Sequence, residues 1–315
     1  MTLNHLKRYA PLVDDLPAFL EAAATPLPRV VWLNPLRTDL DATAARLRDR
    51  CPELTPILWR PHTYRLPPTF SPGRLPEFIT GELHVQEEAA LWPAALIEAV
   101  PGQRVLDLCA APGNKTAQLA IAMEDRGIIV ANDRQAGRLS ALRRLVDRLG
   151  LTSVVVTCQD GVSFPLEAPG YDAVLVDAPC SAEGTSRKPG GRVEEVSTSF
   201  RTFIAGVQLG LLRRALTLVR PGGRVVYSTC TYAPEENEAV VAAVLGEGVE
   251  LLPLIAPLGL RASPGVTSFE GRQFPEAVRQ TARLWPHHND TGGFFVAAMR
   301  RLPERPETHE INLAL

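Results

Sequence analysis

Two cysteines, each just past an apolar, strand-like run, carry the reactive chemistry of this sequence. Residues 172–177 read Asp-Ala-Val-Leu-Val-Asp and lead into Ala178-Pro179-Cys180. Residues 223–228 read Gly-Arg-Val-Val-Tyr-Ser and lead into Thr229-Cys230-Thr231. In an open α/β sheet such strand ends face the ligand crevice. Two thiols delivered to one crevice fit covalent chemistry in which one attacks, as its thiolate, and the other assists. The residues by themselves do not say which is which.

A second group lies at an earlier strand end, Asp107-Leu108-Cys109-Ala110-Ala111-Pro112-Gly113-Asn114-Lys115. Small residues and one glycine let the backbone approach a ligand, and the helix that follows offers free N–H groups. The pattern is neither GxGxxG nor GxxxxGK[ST], so it names neither a nicotinamide nor a polyphosphate. The next strand ends in Asp133, about 20 residues past the glycine turn, where an acid suits ribose hydroxyls. Asp160 follows the third strand and is placed to accept from an adenine amino group. Together these acids and the turn point to a nucleoside-bearing cofactor without a polyphosphate, and S-adenosylmethionine fits. The cofactor set is Cys109, Ala110, Ala111, Pro112, Gly113, Lys115, Asp133, Arg138, Asp160 and Asp177.

These strand ends need a sheet to hold them. From residue 103 strands and helices alternate, the signature of a parallel, doubly wound sheet. Strands are expected at Arg104–Leu108, Gly127–Ala131, Val154–Thr157, Tyr171–Val176, Arg224–Ser228, Glu250–Leu254 and Phe294–Arg300. Helices are expected at Asn114–Met123, Gln135–Leu149, Ser199–Val219 and Glu235–Leu245. The helix over 135–149 carries an apolar stripe of Leu139, Leu142, Leu145, Val146 and Leu149. Residues 1–80 are proline-rich, with a small β-α-β pattern at Arg29–Leu33, Asp39–Arg50 and Thr55–Arg60. Pro67, Pro68, Pro72, Gly73 and Pro76 mark a linker. The expected organisation is an N-terminal lobe and linker over 1–80, a catalytic domain over 81–302, and a frayed tail over 303–315.

The 315 residues suffice for two domains, and 33 Lys+Arg against 35 Asp+Glu give a net charge of −2. That balance does not advertise a nucleic-acid binder. Arg134, Arg138, Arg143, Arg144 and Arg148 nevertheless cluster, and a local basic surface for a nucleic-acid backbone is compatible with the total. Five scattered cysteines without a CxxC pair indicate neither zinc nor a disulfide framework. Free thiols fit a reducing cytosol, and with no secretory signal or long apolar run read in the sequence a cytoplasmic protein without a membrane partner is expected.

Three segments resemble motifs of the RNA cytosine-5 methyltransferases, the Nop2/Sun family. They are Asp-Leu-Cys-Ala-Ala-Pro-Gly-Asn-Lys, Asp-Ala-Pro-Cys-Ser-Ala-Glu-Gly-Thr-Ser-Arg-Lys and Tyr-Ser-Thr-Cys-Thr-Tyr-Ala-Pro-Glu-Glu-Asn-Glu. Thr281-Ala-Arg-Leu-Trp-Pro-His287 and Gly293-Phe-Phe-Val are similar to the family's C-terminal end. The resemblance spans residues 80–302, and Leu33-Asn34-Pro35-Leu36 faintly resembles its small RNA-recognition-like lobe. It implies a Rossmann-like, S-adenosylmethionine-dependent α/β methyltransferase with an N-terminal α+β RNA-recognition-like lobe. It implies Cys230 as nucleophile toward carbon 6 of cytosine, Cys180 in product release, and Asp177 on the ring edge of the base. Lys188 joins the substrate site, with Lys115 and Lys188 favouring the thiolate. The substrate implied is RNA, ribosomal in preference to transfer, and the enzyme is expected to act as a monomer.

The sequence departs from the family at Ala182, where glycine is usual, and at Pro189-Gly190-Gly191, where Asp-Pro is usual. Many bacterial members carry a further RNA-binding domain; here the sequence stops about a dozen residues after Arg301, so none is expected. Two rival readings stand beside this one: a DNA cytosine-5 methyltransferase with Cys180 attacking, and a non-catalytic RNA-binding or assembly factor. Cys51, Cys109 and Cys158 read as packing thiols. Trp59, Tyr64 and Phe70 read as core or linker anchors, and Asn114 and Thr116 as helix caps. His287-His288 is not expected to bind metal, since adjacent side chains point to different sides of most backbones.

Overall fold

The computed structural model describes residues 3–67, 69–166 and 170–303. Pro68 and the tail beyond residue 303 lie outside them. A 3₁₀ helix (Asn4–Leu12) and α1 (Leu16–Ala24) open the chain. The N-terminal lobe follows as β1 (Arg29–Leu33), α2 (Leu40–Arg50), β2 (Thr55–Pro56), β3 (Thr63–Leu66), the short α3 (Pro76–Ile79) and β4 (Leu83–Val85). Asp15 and Asp39 cap α1 and α2, accepting from Ala18 N and Ala42 N at 2.9 Å.

The four strands form one antiparallel sheet in the order β2-β3-β1-β4. Two expectations change here. The strand over 55–60 shrinks to two residues, because Ile57–Arg60 turns back on itself (Arg60 N donates to Ile57 O at 3.3 Å). An unexpected strand, β3, lies just before the prolines that mark the linker, and β4 extends the sheet past residue 80. Residues 63–66, Thr-Tyr-Arg-Leu, do alternate, but four residues are too short a run to stand out; Tyr64 and Leu66 are buried with Leu47 and Leu83.

The larger domain runs α4 (Trp92–Leu96), β5 (Arg104–Asp107), α5 (Asn114–Ala122), β6 (Ile128–Asn132), α6 (Ala136–Leu149), β7 (Val154–Thr157) and β8 (Tyr171–Asp177). It continues with α7 (Thr198–Leu218), β9 (Val219–Thr229), α8 (Glu238–Ala242), β10 (Val249–Leu252) and β11 (Ser263–Pro264). A hairpin of β12 (Ser268–Phe269) and β13 (Arg272–Gln273), then β14 (Ala282–Leu284), α9 (Pro286–Asn289) and β15 (Phe294–Arg301), complete it. The main sheet is ordered β11-β14-β15-β9-β8-β5-β6-β7, with β10 on the same edge of β15 as β14. Pairing is parallel from β9 to β7, and β15 is antiparallel to β9. The expected Rossmann-like α/β fold is present, with an antiparallel addition at one side.

Strand order reverses between β5 and β8. In doubly wound sheets that switch point opens the ligand crevice. The pairing sets Asp107 opposite Leu175 and Asp177 opposite Ser228, so three functional strand ends come side by side. Buried apolar runs such as Ala173–Val176 suit a sheet covered on both faces. On α6 the predicted stripe is buried throughout, and the helix stops at Gly150, whose φ of 70° an L side chain resists.

The N-terminal segment does not belong to the lobe. Leu3, Leu6, Tyr9, Phe19 and Ala23 pack with Tyr232, Phe269 and Trp285 of the catalytic domain. Tyr9 Oη donates to buried Glu183, and Arg8 pairs with Glu235 and Glu270. Asp14 Oδ1 accepts from His287 Nε2 at 2.9 Å and His288 Nε2 at 2.8 Å, and Oδ2 meets Arg261 at 2.7 Å. The two imidazoles therefore converge rather than diverge. They sit on one turn of α9, where neighbours are only about 100° apart and long side chains reach a common acceptor. Their buried Nδ1 atoms have no partner among the described residues. The same Nε2 atoms and the Asp14 carboxylate lie within 4.8 Å of one another, a grouping that also suits a metal ion. Among the described residues no helix is long and apolar enough to cross a membrane.

Removing the Tyr9 hydroxyl tests this docking. Tyr9→Phe should lower stability by about 1–2 kcal/mol, since Glu183 keeps its other donors but loses one buried hydrogen bond. A chemical-denaturation midpoint unchanged from the parent would refute it.

Candidate active site

Both cysteine loops hang from β8 and β9, and the parallel register brings them together. Cys180 Sγ lies 3.3 Å from Cys230 Sγ, and both residues are half-buried. The two sulfurs are inequivalent. The contact with Cys180 lowers the Cys230 pKa, and the cations of Lys188 and Lys115 lower it further against burial and Asp177. The same contact, burial and nearby Glu236 raise Cys180 well above a normal thiol. Cys230 is thus the sulfur poised to ionise.

Asp177 sits between the cysteines and the first strand end. Lys115 Nζ binds its Oδ2 at 2.6 Å, and Ser228 Oγ donates to Oδ1 at 2.8 Å. Lys115 also lies over the Phe294 ring, 5.2 Å from its centre. Lys188 Nζ is 2.5 Å from Glu87 Oε2, while Glu87 Oε1 accepts from Gly292 N at 2.7 Å. That carboxylate holds Lys188 cationic, raising its pKa despite burial.

Two cavities flank this cluster. The first, about 280 Å³, is bordered by Asp133, Arg138, Asp160, Phe203 and Cys180. The second, about 260 Å³, is bordered by Gln86, Asp107, Asn114, Lys115, Lys188 and Phe294. Cys109, Ala111, Asp177, Ala178 and Cys230 line both. Of the residues expected to hold a cofactor, Cys109, Ala111, Asp133, Arg138, Asp160 and Asp177 face the first cavity. Ala110, Pro112 and Lys115 face the second, because the turn after β5 doubles back across the strand end. Gly113 lines neither; its φ of 106° makes the turn, and a Cβ there would stand 3.2 Å from Leu142 Cγ.

The acids are tied by their neighbours. Asp133 accepts from Gln135 N at 2.9 Å and Ala111 N at 3.3 Å and pairs with Arg138 at 3.1 Å. Arg138 also donates to Ala111 O, so it braces the turn. Asp160 caps a 3₁₀ turn through Val162 N at 3.0 Å. Within the arginine cluster Arg143 and Arg144 are exposed, but Arg148 is spent on Phe78 O, Leu83 O and His84. Thr116 donates to Asp107 at 2.6 Å, and neither it nor Asn114 caps α5, whose cap is Gly113.

Several contributors were not singled out from the sequence. Glu183 is fully buried and gathers Tyr9, Arg201 at 2.9 Å and Thr231 at 3.2 Å. Glu236 accepts from Ser181 N and Gln208 at 2.9 Å each, and Asn237 accepts from Thr229 at 2.6 Å and donates to Thr231 O at 3.0 Å. These groups fix both cysteine loops. Acids set in an apolar stretch right after Cys230 were the available signal. Asp107, buried against the second cavity, has its pKa pushed up to about 7 by burial. Trp59 and Tyr64 are anchors as expected: Trp59 donates to Glu88 at 3.1 Å, and Tyr64 is buried.

Ala182 holds φ at 60°, the left-handed region that the family's glycine would occupy freely. An L residue there costs roughly 1–2 kcal/mol, partly offset by glycine's larger unfolded-state entropy. Ala182→Gly should therefore stabilise the protein by about 0.5–1 kcal/mol, measured by denaturant titration; a loss of stability would contradict the strain.

Comparison with known proteins now has a geometry to meet. The family described as 16S rRNA methyltransferase RsmB/F matches residues 94–300. The chain is 35% identical to a tRNA (cytosine(49)-C(5))-methyltransferase of Pyrococcus abyssi, covering 94% of this chain and 95% of that one. It is 33% identical to the ribosomal RNA small subunit methyltransferase F of Erwinia tasmaniensis and to a mouse 28S rRNA (cytosine-C(5))-methyltransferase. It covers 63% and 40% of those two longer proteins. A methyltransferase homolog from Pyrococcus horikoshii superposes with a TM-score of 0.81 at 30% identity, over 96% of this chain and 100% of that one. NSun6 from Pyrococcus horikoshii, solved with SFG, shares the fold at 19% identity and the same TM-score, over 95% of this chain and 98% of that one. With its two cysteine loops at adjoining strand ends, this chain belongs to the RsmB/F family, the Nop2/Sun group whose motifs its sequence resembles.

Proposed function

We propose that the protein methylates carbon 5 of a cytosine in RNA, through a transient bond between Cys230 Sγ and carbon 6 of the ring. The observation that carries this reading is the shared wall of the two cavities. Cys230 and Asp177 face both, so one cavity can present a methyl donor and the other a base to the same pair of residues.

The cofactor is S-adenosylmethionine, which supplies an electrophilic methyl group when bound. The first cavity suits it: Asp133 and Asp160 offer acceptors to a nucleoside, and the turn at Gly113 lets the backbone come close. The second cavity takes the base, which must be unpaired or flipped from its stack. There Asp177, oriented by Lys115 and Ser228, accepts from the amino group of the ring edge. Attack by the Cys230 thiolate forms the S–C6 bond and moves the ring's C5–C6 π pair to carbon 5, making it nucleophilic. Once carbon 5 is methylated its proton must leave, and the electron pair of that C–H bond restores the double bond as the S–C6 bond breaks. The carbon-5 proton passes to solvent water, and the Cys180 thiol, in contact with Cys230 Sγ, stabilises the departing thiolate.

Ribosomal RNA is the favoured substrate, in line with the family description and two of the relatives. A transfer RNA target is the second reading, favoured by the relative of matching length. The enzyme acts as a monomer in the cytoplasm. The exposed Arg143 and Arg144 are offered to phosphates, a contact that weakens with salt. Bisulfite sequencing of total RNA with and without the gene tests base, RNA class and position together; an unchanged cytosine map would refute the reading.

Cys230→Ala should abolish methylation, and retained activity would instead fit the DNA-type mechanism with Cys180 attacking. Cys180→Ala should accumulate a denaturation-resistant protein–RNA adduct, visible as a gel shift; full turnover without adduct would refute the release role. Lys188→Met removes a cation that lowers the Cys230 pKa. The acid limb of its kcat/KM profile should then move to higher pH, because the thiolate forms later. A limb that stays in place would remove Lys188 from nucleophile activation.

A further inference from the structure

A chain of hydrogen bonds behind the second cavity has a forced polarity. Arg148 can only donate, and its Nη2 lies 2.7 Å from His84 Nδ1. Nδ1 must therefore accept, which puts the ring proton on Nε2. Nε2 is 3.0 Å from Asn114 Oδ1, so the imidazole donates and the amide oxygen receives. The neutral ring is favoured: burial pushes the His84 pKa down to about 4, Arg148 adding to the drop and Asn114 opposing it. His84 is further enclosed by Trp32 and Phe78, at ring separations of 5.3 and 6.4 Å.

The consequence falls on Asn114. Its Oδ1 is committed to His84, so this cavity-lining residue keeps Nδ2, a donor with no partner among the described residues, for a ligand. Asn114 does not cap its helix. It lines the cavity with Lys115, Asp177 and Cys230.

We propose that Asn114 Nδ2, locked in orientation by Arg148 and His84, donates a hydrogen bond to the C2 carbonyl oxygen of the target cytosine. This rests on the reading of the second cavity as the base pocket. Asp177 serves the edge that carries the amino group, and an acceptor-only carboxylate cannot serve the carbonyl. A donor-only Asn114 amide can. As sulfur adds to carbon 6, electron density spreads through carbon 5, carbon 4 and N3 to O2. A donor aimed at O2 is worth more in the transition state than in the ground state. A ribose hydroxyl or phosphate oxygen gains no such charge, so donation to either would act on KM alone. Arg148 and His84 are positioning residues, acting through the amide.

The test is steady-state kinetics on a synthetic RNA carrying the cytosine located by bisulfite sequencing. Asn114→Ala and Asn114→Asp should each lower kcat about 10–100-fold with KM moved less than about threefold. His84→Ala frees the amide to rotate and should lower kcat by a smaller factor, partly rescued in His84→Gln. Replacing the target by 2-thiocytidine should slow the parent enzyme but add little to the defect of Asn114→Ala, the coupling expected of partners in contact. An unchanged kcat, a loss confined to KM, or additive effects with 2-thiocytidine would overturn the proposal. Adduct formation with a 5-fluorocytidine RNA separates the two levels. If the parent traps no RNA through Cys230, the base-pocket reading fails. If the parent and Asn114→Ala trap it equally fast, only the role of Asn114 fails.

Discussion

The register between β8 and β9 is the constraint on which the site depends. Because side chains alternate along a strand, a slip of one residue would turn every one to the opposite face. The observed pairing sets Asp177 beside Ser228 and leaves each cysteine a short loop beyond. From that one alignment follow the sulfur contact, the carboxylate held between Lys115 and Ser228, and a reactive wall with a cavity on either side. Buried apolar residues on both faces of β8 and β9 make any other alignment costly.

The loops beyond the strands need a different support, and it is charged. Glu183 and Glu238 are fully buried, paired with Arg201 and Arg283. Ions withdrawn from water add little net stability but punish the loss of either partner. Their contribution here is geometric. Arg283 also donates to Tyr232 O at 2.8 Å, two residues past Cys230, while Gly184 N donates to Cys230 O at 2.9 Å. The backbone around Cys230 is gripped from both sides while the residue itself stays half-buried.

Much of this was legible in the sequence, and the parts that were not share a physical reason. The parallel strands and α6 announced themselves through apolar runs and a helical stripe, since burial there is local and periodic. That Cys180, Cys230 and Asp177 come together was legible because neighbouring strand ends of a parallel sheet share one crevice. β3 and β4 were not, because they are only four and three residues long, too short for their alternation to stand out. Glu87, Glu183 and His84 stayed hidden for a similar reason: each is a polar residue whose partner lies far along the chain. His287 and His288 misled through a neighbour rule that a single helical turn and a distant acceptor, Asp14, set aside.

The position of β15 has a consequence for how the molecule is made. This late strand is inserted between β9 and β14, not added at the rim. During synthesis β9 therefore stands as a bare edge until residues 294–301 have left the ribosome, and open edges invite pairing with other chains. Such long-range pairings also form slowly. Until then the strand that leads into Cys230 is an unpaired edge, and the closing strand shields it.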